Sequence, residues 1–277
     1  MKGVVLIAAG HFYYGQWAQN LCLSIKYNDM FLPVSLAWKG RGLETINTKF
    51  FDKVIELTDE QTHRNGVEDF LKPKTCLWDI TPYEETIFID ADVILFQNKP
   101  LSELLKTLDC DFTIGCRNED NLEEGKELQW ATNEEIIEKY GSGTLYHLSS
   151  EFIYFRKSKT KEFFELVKKI YNDPEITYKR FNGGIADELA FQLAMKVMDM
   201  KPHKVPFLPF YWEHFEKKNA RVSQIKDYYG YSMGGVMNRD ESVQIYNGLA
   251  HFYANQYKAH PFLAKHKRSF LPMRQNL

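Results

Sequence analysis

The ten residues from Ile87 to Phe96, IFIDADVILF, set two carboxylates, Asp90 and Asp92, between hydrophobic runs. Burying an ionised carboxylate is costly unless it is paired or holds a metal. The two acids stand one residue apart at the end of a strand expected to be buried. Alternation along an extended chain points residues i and i+2 to one side. Asp90 and Asp92 can therefore converge on one cation, and carboxylate oxygen is the preferred ligand of a hard divalent ion such as Mn²⁺ or Mg²⁺. An aspartate after a strand can instead cap a helix or close an Asx turn. That explains one of the pair. Val93 to Phe96 is apolar again, and no helix start follows before Pro100-Leu101-Ser102.

The rest of the chain must be able to hold such a pair. Its 277 residues fit one large domain or one domain with insertions. Hydrophobic residues make up 44% and aromatic residues 15%, enough for a substantial core and for aromatics lining a cleft. A net charge of −2 gives no global attraction to nucleic acid or anionic membrane. After Glu241 there is no acidic residue, while Lys258, Lys265, Lys267, Arg268 and Arg274 follow. This segment is either a solvated tail or a cationic flap over an anionic ligand. Cys22, Cys76, Cys110 and Cys116 form no CxxC pair and read as buried thiols. The apolar run after Met1 is too short for a signal sequence, and no segment reaches membrane-span length, so a soluble, cytoplasmic protein is expected.

Strands are expected at Val4–Ala9, Val34–Trp38, Lys53–Leu57, Thr86–Asp90 and Asp111–Cys116. Gly10–Gly15 reads as an aromatic turn and Gln16–Tyr27 as a helix, followed by short helices at Cys76–Ile80 and Leu101–Leu108. Such alternation implies an α/β fold, a mostly parallel sheet with helices on both faces. Ligands of such sheets bind at the carboxyl ends of strands, where Asp90 and Asp92 lie. Arg117 to His147 carries eight acidic against three basic residues and reads as a solvated excursion or a mobile lid. A strand at Glu151–Arg156, a helix at Lys159–Tyr171, a loop at Phe181–Gly184 and an apolar helix at Ala186–Met198 follow. Late strands are expected at Val205–Phe210, Val243–Tyr246 and Leu249–Tyr253.

These residues resemble a known family. A hydrophobic strand ending in D-x-D, within an alternating amino-terminal half, is similar to the GT-A fold of nucleotide-sugar glycosyltransferases, and most similar to glycosyltransferase family 8, the glycogenin and galactosyltransferase-like group. The phrase from Pro82 to Val93, PYEETIFIDADV, carries the likeness, which extends from Val4 to about Pro261. It implies one GT-A domain, with a donor-binding half at about 1–116, an acceptor or insert half at about 117–250 and a basic segment at 251–277. It implies transfer of a sugar from a nucleotide sugar, a UDP-sugar by expectation, to a hydroxyl acceptor with retention of configuration. The acceptor is left open among glycan, lipid-linked glycan, protein and modified nucleic acid.

The resemblance also assigns residues. Asp90 and Asp92 with His251, in HFYANQYKAHP, would hold Mn²⁺ or Mg²⁺. Tyr14 would stack on the donor base, and Ala8, Ala9 and Ala91 would border the donor. Lys74 would contact the phosphates, with Lys72 competing for that part, and Lys258 would join it. The family motif in that last segment has a glycine where this chain has Ala254, and its lysine falls one residue earlier. Asp187, with Glu188 where the family carries Gln, would lie beneath the sugar as the catalytic pair. Leu148-Ser149-Ser150-Glu151-Phe152 occupies the place of an N-S-G strand bordering the acceptor, without its asparagine or glycine. Two rival readings are a sugar nucleotidyltransferase and a non-catalytic nucleotide-sugar-binding protein. The first calls for a Gly-rich basic loop after the first strand, where this chain has Gly10-His11-Phe12-Tyr13-Tyr14. The second would fit loss of either aspartate.

Overall fold

The computed structural model describes residues 1–123, 131, 133–176, 180–181, 184–212, 227–233 and 246–253. Its framework runs β1 (Lys2–Gly10), α1 (Phe12–Asn28), β2 (Val34–Gly40), β3 (Lys53–Glu56), β4 (Glu85–Ile89), β5 (Val93–Leu95), α2 (Leu101–Thr107), β6 (Phe112–Leu122), α3 (Asn133–Tyr140), β7 (Gly143–Arg156), α4 (Lys161–Tyr171), α5 (Glu188–Val197), β8 (Phe210–Trp212) and β9 (Gly230–Ser232). A further helix, α6, spans 246–253.

Six strands form the main sheet in the order β3-β2-β1-β4-β7-β6. The pairs β1–β2, β2–β3 and β1–β4 are parallel, and β7 runs antiparallel to both β4 and β6. The apolar runs VVLIAA and TIFI bury both faces of their strands, as a sheet covered on each side requires. Val4, Leu6 and Ala8 belong to one core with Trp17 and Leu21 of α1. Val5 and Ala9 belong to another with Phe163 and Val167 of α4 and Leu189 and Leu193 of α5. The alternating, mostly parallel architecture expected from the sequence is therefore present.

Several boundaries differ. α1 begins at Phe12, so the expected turn is its first residues, and the His11 ring accepts the Tyr13 N–H as N-cap. The Arg117–His147 stretch is not mainly an excursion: β6 runs on to Leu122 and pairs back with β7 from Gly143. Residues 124–130 and 132 of it lie outside the described part. Of the strand expected at Val205–Phe210, only Phe210 falls in β8, while Phe207 bridges to Cys116. Leu249–Tyr253 is helical. Tyr246, Ala250 and Tyr253 are buried at a spacing of four and three, which is helical rather than alternating. Residues 243–245 of the other late strand, Lys258 and the whole 254–277 segment lie outside the described residues.

β4 ends the buried part of the sheet, and the chain then changes sheet. The Asp90 N–H donates to Glu151 O at 3.0 Å and the Val93 N–H to Asp90 O at 3.2 Å, closing a turn. β5 leaves that turn to pair antiparallel with β9, itself parallel to β8. Asp90 and Asp92 thus occupy the crossing between two sheets.

Candidate functional site

Asp92 is buried, and the Met233 N–H donates to its main-chain carbonyl at 3.2 Å. Burial pushes the Asp90 carboxyl up to about 6; Lys74 opposes that shift and Asp92 adds to it. Tyr14, near the start of α1, is partly exposed, and its ring meets Trp17 edge-on with centroids 5.2 Å apart. Burial and then Asp92 and Asp90 raise its pKa, so it stands within electrostatic reach of both aspartates.

Lys74 and Lys72, the two lysines considered for the phosphates, have different surroundings. The Lys72 ammonium donates to His63 O at 2.6 Å and is committed there. The Lys74 ammonium donates to Asp90 Oδ2 at 2.8 Å and to Ser150 Oγ at 3.0 Å, and lies 4.0 Å from Asp187 Oδ1. Burial alone would lower its pKa. Asp187, Asp90 and Glu188 outweigh burial and hold it above the ordinary lysine value.

Asp187 and Glu188 open α5. An aspartate at this place could serve only as a cap, but the Asp187 side chain makes no capping hydrogen bond. The residue is 2% exposed, and its Oδ2 is a buried acceptor with no hydrogen-bond partner. Such an oxygen is costly unless a ligand supplies the donor. Glu188 Oε1 accepts from Ser150 Oγ at 3.3 Å. Burial, followed by repulsion from Asp187, raises the Glu188 pKa.

Glu151, in the segment expected to border the acceptor, lies near both aspartates, and Arg117 and Ser232 join it. Burial, then Asp92 and Asp90, push Glu151 up to about 8, while a hydrogen bond from Ser232 of β9 opposes the shift. Arg117 lies beside Glu151 and Glu188; burial lowers its pKa and the two carboxylates offset part of that. A β-bulge brings this group together. The β6–β7 register shifts between Ile114 and Gly115, and a Cβ on Gly115 would lie 2.5 Å from Ser149 O. Bulges beside functional sites re-aim side chains in this way. The signal was present in Ser149-Ser150-Glu151, which interrupts the apolar strand before Phe152-Ile153-Tyr154-Phe155.

Other assigned residues are placed differently. The Ala8, Ala9 and Ala91 methyls are buried in the two cores, so a ligand could meet only their main chain. His251 is exposed on α6. Among the described residues, no three His, Cys, Asp or Glu side chains are grouped to hold a metal ion. The helical register buries Tyr246 and Tyr253 and leaves His251 exposed. α6 nonetheless adjoins the site: Tyr246 feels the Asp92 charge, and Tyr253 Oη donates to Leu95 O at 2.5 Å.

The donor chemistry fits a divalent cation. Asp90, Asp92, Glu151, Asp187 and Glu188 lie within electrostatic reach of Lys74 or Arg117 or of one another. Burial is the first cause of the raised Asp90 and Glu151 values, with neighbouring carboxylates adding to it, and a bound cation would oppose both; the carboxylate oxygens are hard donors.

The sequence matches no protein-family model and no curated protein. The fold is that of GT-A glycosyltransferases. The bifunctional glycosyltransferase WbbM superposes with a TM-score of 0.58 at 14% identity, covering 97% of this chain and 52% of WbbM. The galactosyltransferase LgtC, in complex with donor and acceptor sugar analogues, gives 0.58 at 12% identity, covering 91% of this chain and 96% of LgtC. GlyE of Streptococcus pneumoniae gives 0.54 at 11%, covering 94% of this chain and 64% of GlyE. The chain therefore spans about half of WbbM and nearly all of LgtC. No described helix is long and apolar enough to cross a membrane.

Proposed function

We propose that this protein is a glycosyltransferase that moves a sugar from a nucleotide sugar, a UDP-sugar, to a hydroxyl acceptor with retention of configuration. The observation that carries the reading is the acid cluster built around Lys74 at the carboxyl ends of β1 and β4, the place where ligands of open α/β sheets bind. Asp90 and Asp92 would hold a divalent cation, Mn²⁺ or Mg²⁺. His251 is the candidate for a third ligand, on the helix that adjoins Asp92. When bound, the ion would neutralise the diphosphate as it departs.

The chain's own residues supply the rest. Tyr14 offers a π-face to the base from its partly exposed position. The Lys74 ammonium, held on three sides, is preorganised to meet negative charge developing on the leaving diphosphate. The unpartnered Asp187 Oδ2 accepts a sugar hydroxyl. Glu188, steadied by Ser150, places a second carboxylate where positive charge on an oxocarbenium-like sugar would be favoured. Lys258 and its basic neighbours would add charge opposite the diphosphate. The acceptor belongs to the broad class of hydroxyl-bearing glycans, lipid-linked glycans, proteins or modified nucleic acids.

The test is hydrolysis of UDP-glucose, UDP-galactose and UDP-N-acetylglucosamine by the purified chain, with Mn²⁺ and with a chelator. Metal-dependent release of UDP from at least one of them is expected. Equal or absent release under both conditions contradicts the reading.

A further inference from the structure

Tyr171, the last residue of α4, is fully buried, yet it carries a polar group. Its Oη donates to Asp69 Oδ2 at 2.7 Å and faces Ile185 O at 3.1 Å, so one proton is shared between two acceptors. The acceptors lie on segments far apart in the chain. Asp69 opens the stretch that ends in Lys74. Its Oδ1 accepts the Leu71 N–H at 3.2 Å, its carbonyl accepts the Lys72 N–H at 3.2 Å, and Leu71 O accepts the Lys74 N–H at 3.2 Å. Ile185 stands two residues before Asp187 and leads into α5. The phenol thus touches both segments whose side chains meet in the 4.0 Å Lys74–Asp187 contact. Arg64 fastens the same tyrosine from outside, donating from Nε to its carbonyl at 2.9 Å with the guanidinium 5.9 Å from the ring centroid.

Packing alone does not require this arrangement, because a phenylalanine would fill the same space without a buried hydroxyl. A buried polar group is kept at a cost unless it is satisfied, and here it is satisfied by tying two functional segments together. We propose that Tyr171 is a positioning residue: its hydroxyl sets the spacing between Lys74 and the Asp187–Glu188 pair, and so the rate of glycosyl transfer. The inference rests on the proposed function for its kinetic part. A displacement of about 1 Å in a catalytic group can cost on the order of 10²-fold in rate. Loss of one of several restraints is expected to cost about tenfold.

The experiment combines two readouts on Tyr171→Phe, with Asp69→Asn as a second variant that keeps the acceptor for Leu71. The first is a kinetic cycle with Lys74→Met on whichever UDP-sugar the wild-type protein hydrolyses. Tyr171→Phe should lower kcat about tenfold with KM within twofold, and should change it less than twofold in the Lys74→Met background. A kcat within twofold of wild type, or an equal fall in both backgrounds, overturns the proposal, since a merely structural role would be additive. The second readout needs no activity. Amide hydrogen exchange should quicken in both 69–75 and 184–190 of each variant, with the β1 and β4 amides unchanged. Unchanged exchange in either segment, or quickening throughout the chain, overturns the clamp. If the wild-type protein turns over no UDP-sugar, the proposed function fails, and exchange still decides whether Tyr171 joins the segments.

Discussion

Lys74 sits where burial and charge oppose each other, and charge wins. An ammonium that bonds Asp90 and Ser150 and lies 4.0 Å from Asp187 is held in place before any substrate arrives. Lys74→Met should lower kcat for UDP-sugar hydrolysis about 10²-fold, the usual cost of removing one preorganised donor. Lys74→Arg should recover part of the loss, and a kcat within threefold of wild type for Lys74→Met would remove Lys74 from the chemistry. The acids make a second prediction. Asp90 and Glu151 have carboxyls raised to about 6 and about 8, so the folded state binds their protons more tightly than the unfolded state does. The stability that these two protonated carboxyls contribute to the metal-free protein is therefore fully present below the unfolded carboxylate values, and is lost as pH rises from about 4 through about 8. Thermal melts in chelator should show a steeper loss of stability over the upper part of that range in the wild-type protein than in Glu151→Gln. A Glu151→Gln profile parallel to that of the wild-type protein over the same range would contradict it. Asp90 and Asp92 were legible because two acids interrupt one apolar run. Glu151 and Ser150 were less so, being a polar break whose neighbours come from β4 and β9. The Tyr171–Asp69 bond joins residues 102 apart, and no local pattern announces it.

Secondary elements were legible where their apolar period was long. β1, β2, β4 and α4 fall close to their expected bounds because VVLIAA, VSLAW, TIFI and the spacing of α4 each fit one period. α6 was misread because the short, aromatic-rich stretch LAHFY has high strand propensity, while its helical contacts depend on residues 246–248 before it. The bulge at Gly115 had no readable pattern, since a register shift depends on two strands at once. It gives an element-level prediction. Gly115→Ala would place Cβ 2.5 Å from Ser149 O, so the backbone carrying Ser150 and Glu151 must move. Overpacking of this kind costs about 1–3 kcal/mol, measurable by urea unfolding. It should also lower kcat more than it changes KM for the donor. An unchanged unfolding midpoint and unchanged kinetics would show that the bulge does not hold the site.

At the scale of the molecule, the parallel β3-β2-β1-β4 block presents its carboxyl ends on one side, and β7 returns antiparallel to bring Ser150 and Glu151 to Asp90. The alternating pattern of the first 116 residues made the parallel block legible. The antiparallel closure by β6 and β7 was not, because it uses a long hairpin in an acidic stretch that reads as surface. The agreement in fold with WbbM, LgtC and GlyE at 11–14% identity shows how far this architecture outlasts sequence. It leaves the chemistry to be decided at the acid cluster. The most direct measurement is calorimetry of UDP binding with Mn²⁺ and with chelator, on the wild-type protein, Asp92→Asn and His251→Ala. Binding to the wild-type protein should require Mn²⁺. Asp92→Asn should weaken it about 10²-fold, and His251→Ala about tenfold, on the scale seen when metal-site groups are removed. UDP binding that is equally strong with chelator, or unchanged in Asp92→Asn, would contradict a metal-assisted nucleotide-sugar site at Asp90 and Asp92.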